Sequence, residues 1–173
     1  MVKRRVSGVP YEVDMDVDII GRPTRDEYFT AMARLVSTRG ACVRRQTGCV
    51  LVDKNYFVLA TGYNGRPAGM ENCLSRPCAG ATASSGTALH ACEAIHAEAN
   101  ALLQCKDTQT IEVAYCTTSP CIHCIKLLAN TSVKRIVFLD EYPHPEAKDF
   151  AEKLGIKWEK FTNDDKEEQP NFD

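Results

Sequence analysis

Two short motifs that must meet in space place the strongest constraint on how this chain folds. The first, His96-Ala97-Glu98, opens an Ala/Leu-rich helical segment predicted over Ile95–Cys105. The second, Pro120-Cys121-Ile122-His123-Cys124, follows a predicted strand over Glu112–Thr117 and opens another helix, with Ser119 as its predicted N-cap. Helices that alternate with strands in this way predict an α/β fold in layers, with helices on both faces of one sheet.

The other elements are predicted from capping and periodicity. Thr24-Arg25-Asp26-Glu27 has the form of a capping box, and the apolar positions behind it follow one helical face that should end near Gly40. Gly48–Val52 and Tyr56–Thr61 predict a β-hairpin. The later elements are a strand, a helix and a strand, over Arg135–Leu139, Pro145–Leu154 and Lys157–Phe161.

Length and composition predict one folded domain with two extensions. The chain has 173 residues, which is the size of a single domain. We expect residues 1–23 to form an N-terminal arm, 24–161 the domain, and 162–173 an acidic tail. Residues 62–91 lack periodicity, and so long an irregular loop in a compact domain is functional, tied down or disordered.

Charge and hydropathy exclude several classes of partner. Lys and Arg number 21 against 23 Asp and Glu, so the net charge of −2 argues against general nucleic-acid binding through a basic face. No apolar stretch approaches the roughly 20 residues that cross a bilayer. The basic start is followed by Gly8, Pro10 and Glu12 where a signal peptide needs an apolar core. These features predict a cytoplasmic protein without membrane contact.

Nine cysteines are unusual for a chain of this kind. The number is odd and no export signal is present, so a metal site is favoured over a disulfide framework. Cys121 and Cys124 lie on one helical face, where a helix N-terminus favours thiolates. Two thiolates and the His96 imidazole leave a fourth tetrahedral position open, which is typical of catalytic zinc. Glu98 would then lie beside the activated water.

Each of these residues alone has a plainer interpretation. His96 could be an ordinary histidine, Glu98 a first-turn glutamate placed for the helix dipole, and Cys-x-x-Cys a redox pair or half of a structural zinc site. Together, His-x-Glu and Pro-Cys-x-x-Cys are similar to the signature of zinc-dependent base deaminases. His123, between the thiols, is interpreted as a surface residue.

The wider sequence resembles the deoxycytidylate (dCMP) deaminase family of the cytidine-deaminase-like superfamily. The matching segments extend over about Tyr28 to Phe161. They are Cys42-Val43-Arg44-Arg45-Gln46-Thr47-Gly48, Ala60-Thr61-Gly62-Tyr63-Asn64-Gly65-Arg66-Pro67-Ala68-Gly69, His96-Ala97-Glu98-Ala99-Asn100-Ala101 and Ser119-Pro120-Cys121-Ile122-His123-Cys124. The resemblance implies a three-layer α/β/α sandwich around a central mixed five-stranded sheet.

The resemblance also implies an activity. His96, Cys121 and Cys124 would hold zinc, and Glu98 would carry protons from the attacking water to the pyrimidine ring and the leaving ammonia. The reaction would convert dCMP to dUMP, a precursor for dTMP synthesis. Arg44, Arg45 and Tyr142 are candidate phosphate ligands, and Asn64 either contacts the sugar or serves as a turn residue.

By the same resemblance, Cys42 and Cys73 match positions that hold a second, structural zinc. Cys78 and Cys92 are favoured to complete that site, with His90 as an alternative ligand, while apolar thiols without metal are the simpler interpretation. Family members are typically homohexamers, activated by dCTP and inhibited by dTTP with Mg²⁺. Gly62, Gly65 and Asn100 are candidate allosteric residues.

Two rival hypotheses stay open. One is a different zinc deaminase, acting on dCTP, cytidine, guanine or tRNA adenosine, although the acidic net charge speaks against a tRNA substrate. The other is a non-enzymatic scaffold in which zinc only supports folding or partner binding.

Overall fold

The computed structural model describes residues 22–84, 87–143 and 145–162. The predicted arm, apart from its last two residues, and the predicted tail, apart from its first, lie outside these ranges. In the part of the chain that is described, no helix is long and apolar enough to cross a membrane.

Five strands of the described part of the chain form one mixed sheet, as predicted. The order is β2-β1-β3-β4-β5; β1 runs antiparallel to β2 and β3, whereas β3, β4 and β5 are parallel. The strands are β1 (Gly48–Val52), β2 (Val58–Tyr63), β3 (Val113–Thr118), β4 (Arg135–Asp140) and β5 (Lys157–Lys160).

Within the described ranges, four α-helices cover both faces of the sheet. They are α1 (Arg25–Ser37), α2 (Ala97–Gln104), α3 (Ile122–Leu128) and α4 (Pro145–Lys153). The capping box before α1 is confirmed, because the Thr24 N–H donates to Glu27 over 2.6 Å and the Glu27 N–H donates to Thr24 Oγ1 over 3.2 Å. The predicted layered α/β fold is therefore present.

Alternation along the central strands divides the core into two layers. Val50 and Val52 of β1 pack with Phe29 of α1 on one face. Cys49 and Leu51 point to the opposite face, where they join a cluster with residues of α2, α3 and α4. Successive side chains of a strand point to opposite sides, so a β1 buried at every position fits a sheet covered on both faces.

Several predicted boundaries are shifted by a few residues, and two of these shifts have a clear local reason. The second strand of the hairpin begins at Val58 instead of Tyr56, because Tyr56 has a φ of 63° and the Asp53 carboxylate accepts the N–H of Phe57. Helix α3 begins at Ile122 with Cys121 as its N-cap. Ser119 does not cap it; its hydroxyl accepts the N–H of Tyr142 over 2.8 Å.

Gly62 allows α2 to lie directly against β2. A Cβ atom at this position would stand 2.2 Å from the carbonyl oxygen of Ala97 and 2.3 Å from the amide nitrogen of Ala101. No L side chain fits such an approach without backbone movement. The contact fixes the first turn of α2, which carries the His-x-Glu motif.

Candidate active site

The two motifs meet because two helices begin at the same place. His96 is the N-cap of α2 and Cys121 is the N-cap of α3, and both have extended backbone angles. Neither side chain caps its own helix, so both are available to point into the space between the helix starts. The segment before His96 is held by two hydrogen bonds that pair Ile95 with Gly65, of 3.1 and 2.8 Å.

The side chains of His96, Cys121 and Cys124 form a compact triad. Their ligand atoms lie within 4.8 Å of one another, and both sulfur atoms stand 3.4 Å from His96 Nδ1. A tetrahedral zinc with Zn–S bonds of about 2.3 Å and a Zn–N bond of about 2.0 Å keeps sulfur and nitrogen about 3.5 Å apart. The donor set and its spacing therefore fit Zn²⁺.

Without a metal, the two thiols share their protons unequally. A hydrogen bond from the Cys124 thiol, together with one from the His96 ring, lowers the pKa of Cys121 to about 3. The pKa of Cys124 is raised because its proton is held by Cys121 and because it is buried. The hydrogen bond to Cys121 also raises the pKa of His96. A divalent cation would displace the shared protons, since thiolates and neutral imidazole are the binding forms.

Glu98 lies beside the triad in the first turn of α2. Its side chain is buried, and burial raises the pKa of its carboxyl group above the ordinary value. The neighbouring Cys124 thiol acts in the opposite direction and is a smaller cause. A buried carboxyl group with a raised pKa next to a metal site is suited to taking up and releasing a proton near neutral pH.

One cavity opens over the triad. The volume of the cavity, including its open mouth, is about 630 Å³. His96, Glu98 and Cys121 are among its lining residues. The candidate substrate residues also line it: Arg44, Arg45, Asn64 and Tyr142. The structure thus brings all four of them together with the metal triad.

The two adjacent arginines have different partners. Arg44 donates to the carbonyl oxygens of Thr87 and Ser84, over 3.0 and 3.4 Å, and so ties the long loop to the cavity rim. Arg45 donates to Thr118 Oγ1 over 3.3 Å at the end of β3, next to Ser119 and the start of the metal motif. The two side chains, both predicted as phosphate ligands, are thus bound to different parts of the cavity wall.

The four thiols of the predicted structural zinc lie in two neighbouring groups. The Cys78 N–H donates to Cys73 Sγ over 3.3 Å, and the N–H of Glu93 lowers the pKa of the Cys78 thiol. Cys42 and Cys92 both contact the Arg44 guanidinium. Among the described residues, the His96 triad is the one group of three or more metal-ligating atoms within 4.8 Å. The alternative ligand His90 is exposed.

The candidate allosteric residues adjoin one another at the end of β2. The Asn100 side chain donates to the carbonyl oxygen of Tyr63 over 2.8 Å, next to Gly62, while Gly65 pairs with Ile95. Asn100 is half-buried and projects from α2.

Sequence reasoning missed Arg66 as an organising residue. Its side chain is 8% exposed, forms an ion pair with Glu93, and donates to the carbonyl oxygens of Glu71 and Arg76 over 2.9 Å each. These contacts hold together the irregular segment that follows β2. The only sequence signal was its place between Gly65 and Pro67, which does not reveal partners so far along the chain.

Comparison with known proteins points to one family. Residues 23–140 match the family model for the cytidine and deoxycytidylate deaminase zinc-binding region. The chain is 37% identical over 123 residues to deoxycytidylate deaminase of Saccharomyces cerevisiae, which covers 70% of this chain and 39% of the yeast protein. The chain therefore spans well under half the length of that relative.

Shorter relatives match along their whole length. Deoxycytidylate deaminase of Mycobacterium phage D29 is 38% identical over 128 residues, covering 70% of this chain and 99% of the phage protein. The crystal structure of dCMP deaminase from the cyanophage S-TIM5, in complex with dCMP and dUMP, superposes with a TM-score of 0.67 at 31% identity. That match covers 82% of this chain and all of the cyanophage chain.

Proposed function

This chain belongs to the cytidine and deoxycytidylate deaminase zinc-binding family, and from that premise we propose that it hydrolyses dCMP to dUMP and ammonia. The observation that carries the proposal is a buried carboxyl group, Glu98, beside a His/Cys/Cys triad in a cavity that also contains two arginines. The named deoxycytidylate deaminases among its relatives favour the nucleotide as substrate.

His96, Cys121 and Cys124 would hold the zinc, because their donor atoms already have the spacing of a tetrahedral site. When bound, zinc supplies Lewis-acid activation of the water that attacks C4 of the pyrimidine. The three ligands come from two helix starts that are fixed by the sheet, so the site is assembled before the substrate arrives.

Glu98 moves the protons. Its carboxylate accepts one from the attacking water and delivers it to N3 of the ring, which makes C4 more electrophilic. It then passes the remaining proton to the amino group, which leaves as ammonia. Burial supports this role, since a carboxyl group with a raised pKa gives up and regains a proton more readily near neutral pH.

Arg45 is the main phosphate ligand in this proposal, with Tyr142 beside it. Among the described residues, Arg45 makes one long hydrogen bond, to Thr118, which leaves most of its guanidinium donors for a ligand in the cavity. Ser119 holds the loop of Tyr142 at the same rim. Arg44 already donates to two loop carbonyl groups and serves more to close the loop than to bind phosphate. For Asn64, the sugar contact and the turn residue both stay predictions.

The test is deamination of dCMP by the zinc-loaded protein, followed by ultraviolet absorbance and ammonia release. Parallel substrates are dCTP, cytidine and deoxycytidine. We expect dCMP to be turned over with the highest kcat/KM. Turnover of a nucleoside with none of dCMP would place the protein in another branch of the family. Absence of any deamination with zinc bound would favour the scaffold hypothesis.

A second zinc, held by Cys42, Cys73, Cys78 and Cys92, is part of the proposal. Cys73 contacts the backbone of Val43, which follows Cys42, and Cys78 contacts the backbone of Glu93, which follows Cys92. The two pairs of thiols are thus brought near each other by adjacent residues. The N–H of Glu93 lowers the pKa of the Cys78 thiol and supports a thiolate there, whereas burial raises the pKa of the Cys73 thiol.

Metal analysis separates the two zinc sites. We expect two zinc ions per chain in the wild type and one in Cys73→Ser, while Cys105→Ser, at the end of α2, keeps both. One zinc in the wild type, or two in Cys73→Ser, would contradict the structural site without affecting the catalytic one.

Regulation completes the proposal: a cytoplasmic homohexamer, activated by dCTP and inhibited by dTTP with Mg²⁺. Gly62, Gly65 and Asn100 are its candidate effector residues, supported by their proximity at the end of β2. We expect dCMP turnover to rise with dCTP and Mg²⁺ and to fall with dTTP, and light scattering to give a six-chain mass. Unchanged rates with both nucleotides would refute regulation.

A further inference from the structure

We propose that Asn64 is a positioning residue, which acts on the substrate phosphate through the loop that carries Arg45. The inference rests on the proposed function for the identity of the ligand. It differs from the expectation of a direct sugar contact, because the hydrogen bonds of the Asn64 side chain go to the protein backbone.

Asn64 makes four hydrogen bonds to the segment 41–47. Its backbone N–H donates to the Thr47 carbonyl oxygen over 3.2 Å, and its carbonyl oxygen accepts the Ala41 N–H over 2.9 Å. Its side-chain oxygen accepts the Thr47 N–H over 2.9 Å, and its side-chain nitrogen donates to the Arg45 carbonyl oxygen over 2.8 Å. One buried residue at the end of β2 therefore fixes both ends of this segment.

The surrounding backbone is shaped to accept the amide. A Cβ atom on Gly40 would stand 2.6 Å from Asn64 Oδ1, 2.9 Å from the Ser37 carbonyl oxygen and 3.0 Å from Gln46 Cβ. A side chain at position 40 would therefore displace the Asn64 oxygen together with these neighbours. Gly40 lies after α1, outside the cavity lining. A substitution at Gly40 would therefore disturb the Asn64 contacts while residue 64 stays an asparagine.

The consequence for the site follows from the bond to Arg45. The Asn64 amide holds the carbonyl oxygen of Arg45, and the Arg45 side chain reaches Thr118 across the cavity. A guanidinium recognises phosphate well only when its direction is fixed, since the paired hydrogen bonds require alignment. Releasing the amide would let the segment shift and would weaken phosphate binding.

The test is a double-mutant cycle with Asn64→Asp and Arg45→Ala. An aspartate can still accept the Thr47 N–H. It cannot donate to the Arg45 carbonyl oxygen, because it places a second oxygen where the amide nitrogen was. Asn64→Asp and Arg45→Ala should each lower kcat/KM for dCMP about 10- to 100-fold, mainly through KM. The double variant should be no worse than Arg45→Ala by more than about threefold. Asn55→Asp, exposed on the hairpin turn, controls for the added charge.

Multiplied losses in the double variant would show that Asn64 acts independently of Arg45 and would overturn the inference. Gly40→Ala should reproduce the rise in KM, which keeps the test decisive if Asn64→Asp does not fold. Hydrogen exchange at residues 41–47 gives a readout without substrate: it should quicken in Gly40→Ala, and unchanged exchange would contradict the proposal. If wild type fails to turn over dCMP, the proposed function fails while exchange still tests the loop contacts.

Discussion

The zinc triad and the irregular segment 64–95 both contain cysteines, yet they are built on different scaffolds. The triad comes from the first residues of α2 and α3, which lie against a sheet buried on both faces. In the irregular segment Cys73 lies in a turn, and Cys78 and Cys92 lie outside helices, strands and turns. Arg66, Arg44 and backbone contacts hold this segment.

This difference explains why the donor atoms of the triad lie together, whereas the four thiols of the second predicted site lie in two pairs. Helix starts that are fixed by core packing bring three donor atoms within 4.8 Å of one another. A long loop has few buried apolar contacts to offset its ordering entropy, so a metal or an effective set of polar contacts must supply that stabilisation. The catalytic site should therefore tolerate metal removal better than the loop does.

The largest expected effect concerns the rigid site. Glu98→Gln keeps the size of the side chain but cannot accept a proton, so kcat for dCMP should fall about 10²- to 10⁴-fold. Zinc should stay bound, because Glu98 is outside the triad. Steady-state kinetics with metal analysis measure both, and Glu71→Gln, an exposed site, is the control. A kcat within threefold of wild type would remove Glu98 from the mechanism.

The next effect tests the scaffold beneath the triad. Gly62→Ala drives a methyl group into the backbone of α2, at 2.2 Å from the Ala97 carbonyl oxygen, and should lower the free energy of unfolding by about 3 kcal/mol. The nearest atom to a Cβ on Gly65 is 3.7 Å away, so Gly65→Ala should cost much less. Denaturant unfolding compares the two. Equal losses would mean that the α2 contact does not fix the site.

A smaller effect tests the loop. Arg66→Met leaves Glu93 and two loop carbonyl groups without their partner, so the segment should open more often while global unfolding changes little. Thermolysin should cleave within residues 66–93 about tenfold faster, which corresponds to about 1.4 kcal/mol of local stability. Arg76→Met, an exposed position, is the matched control. An equal acceleration of cleavage outside residues 66–93 would contradict a local role for Arg66.

The smallest effect is acid sensitivity on the opposite face of the sheet from the triad. Burial acts to raise the pKa of Asp26, but hydrogen bonds from Arg135 and Tyr115 outweigh it and leave the pKa lowered. The stabilisation is present above the unfolded pKa of about 3.9 and is lost as pH falls through the folded value. Asp26→Asn should cost ~1 kcal/mol at neutral pH. In denaturant unfolding the cost should shrink below about pH 4; a constant cost would refute the linkage.

Local sequence signals predicted most of the fold but few of the long contacts. The capping box before α1, the strand at Gly48–Val52 and the five-stranded α/β architecture are confirmed. These depend on residues close in sequence, where capping and alternation act directly. The prediction of Ser119 as the N-cap of α3 is wrong, because its hydroxyl group accepts the N–H of a distant residue, Tyr142.

The same division holds for the candidate site. The sequence by itself determined which residues can bind a metal and carry a proton, because those properties belong to the side chains of His96, Glu98, Cys121 and Cys124. Only the tertiary structure decided that Arg44 binds the long loop, that Arg45 reaches β3, and that Asn64 holds the segment 41–47. The physical reason is that hydrogen-bond partners across the chain are chosen by packing, which no local pattern encodes.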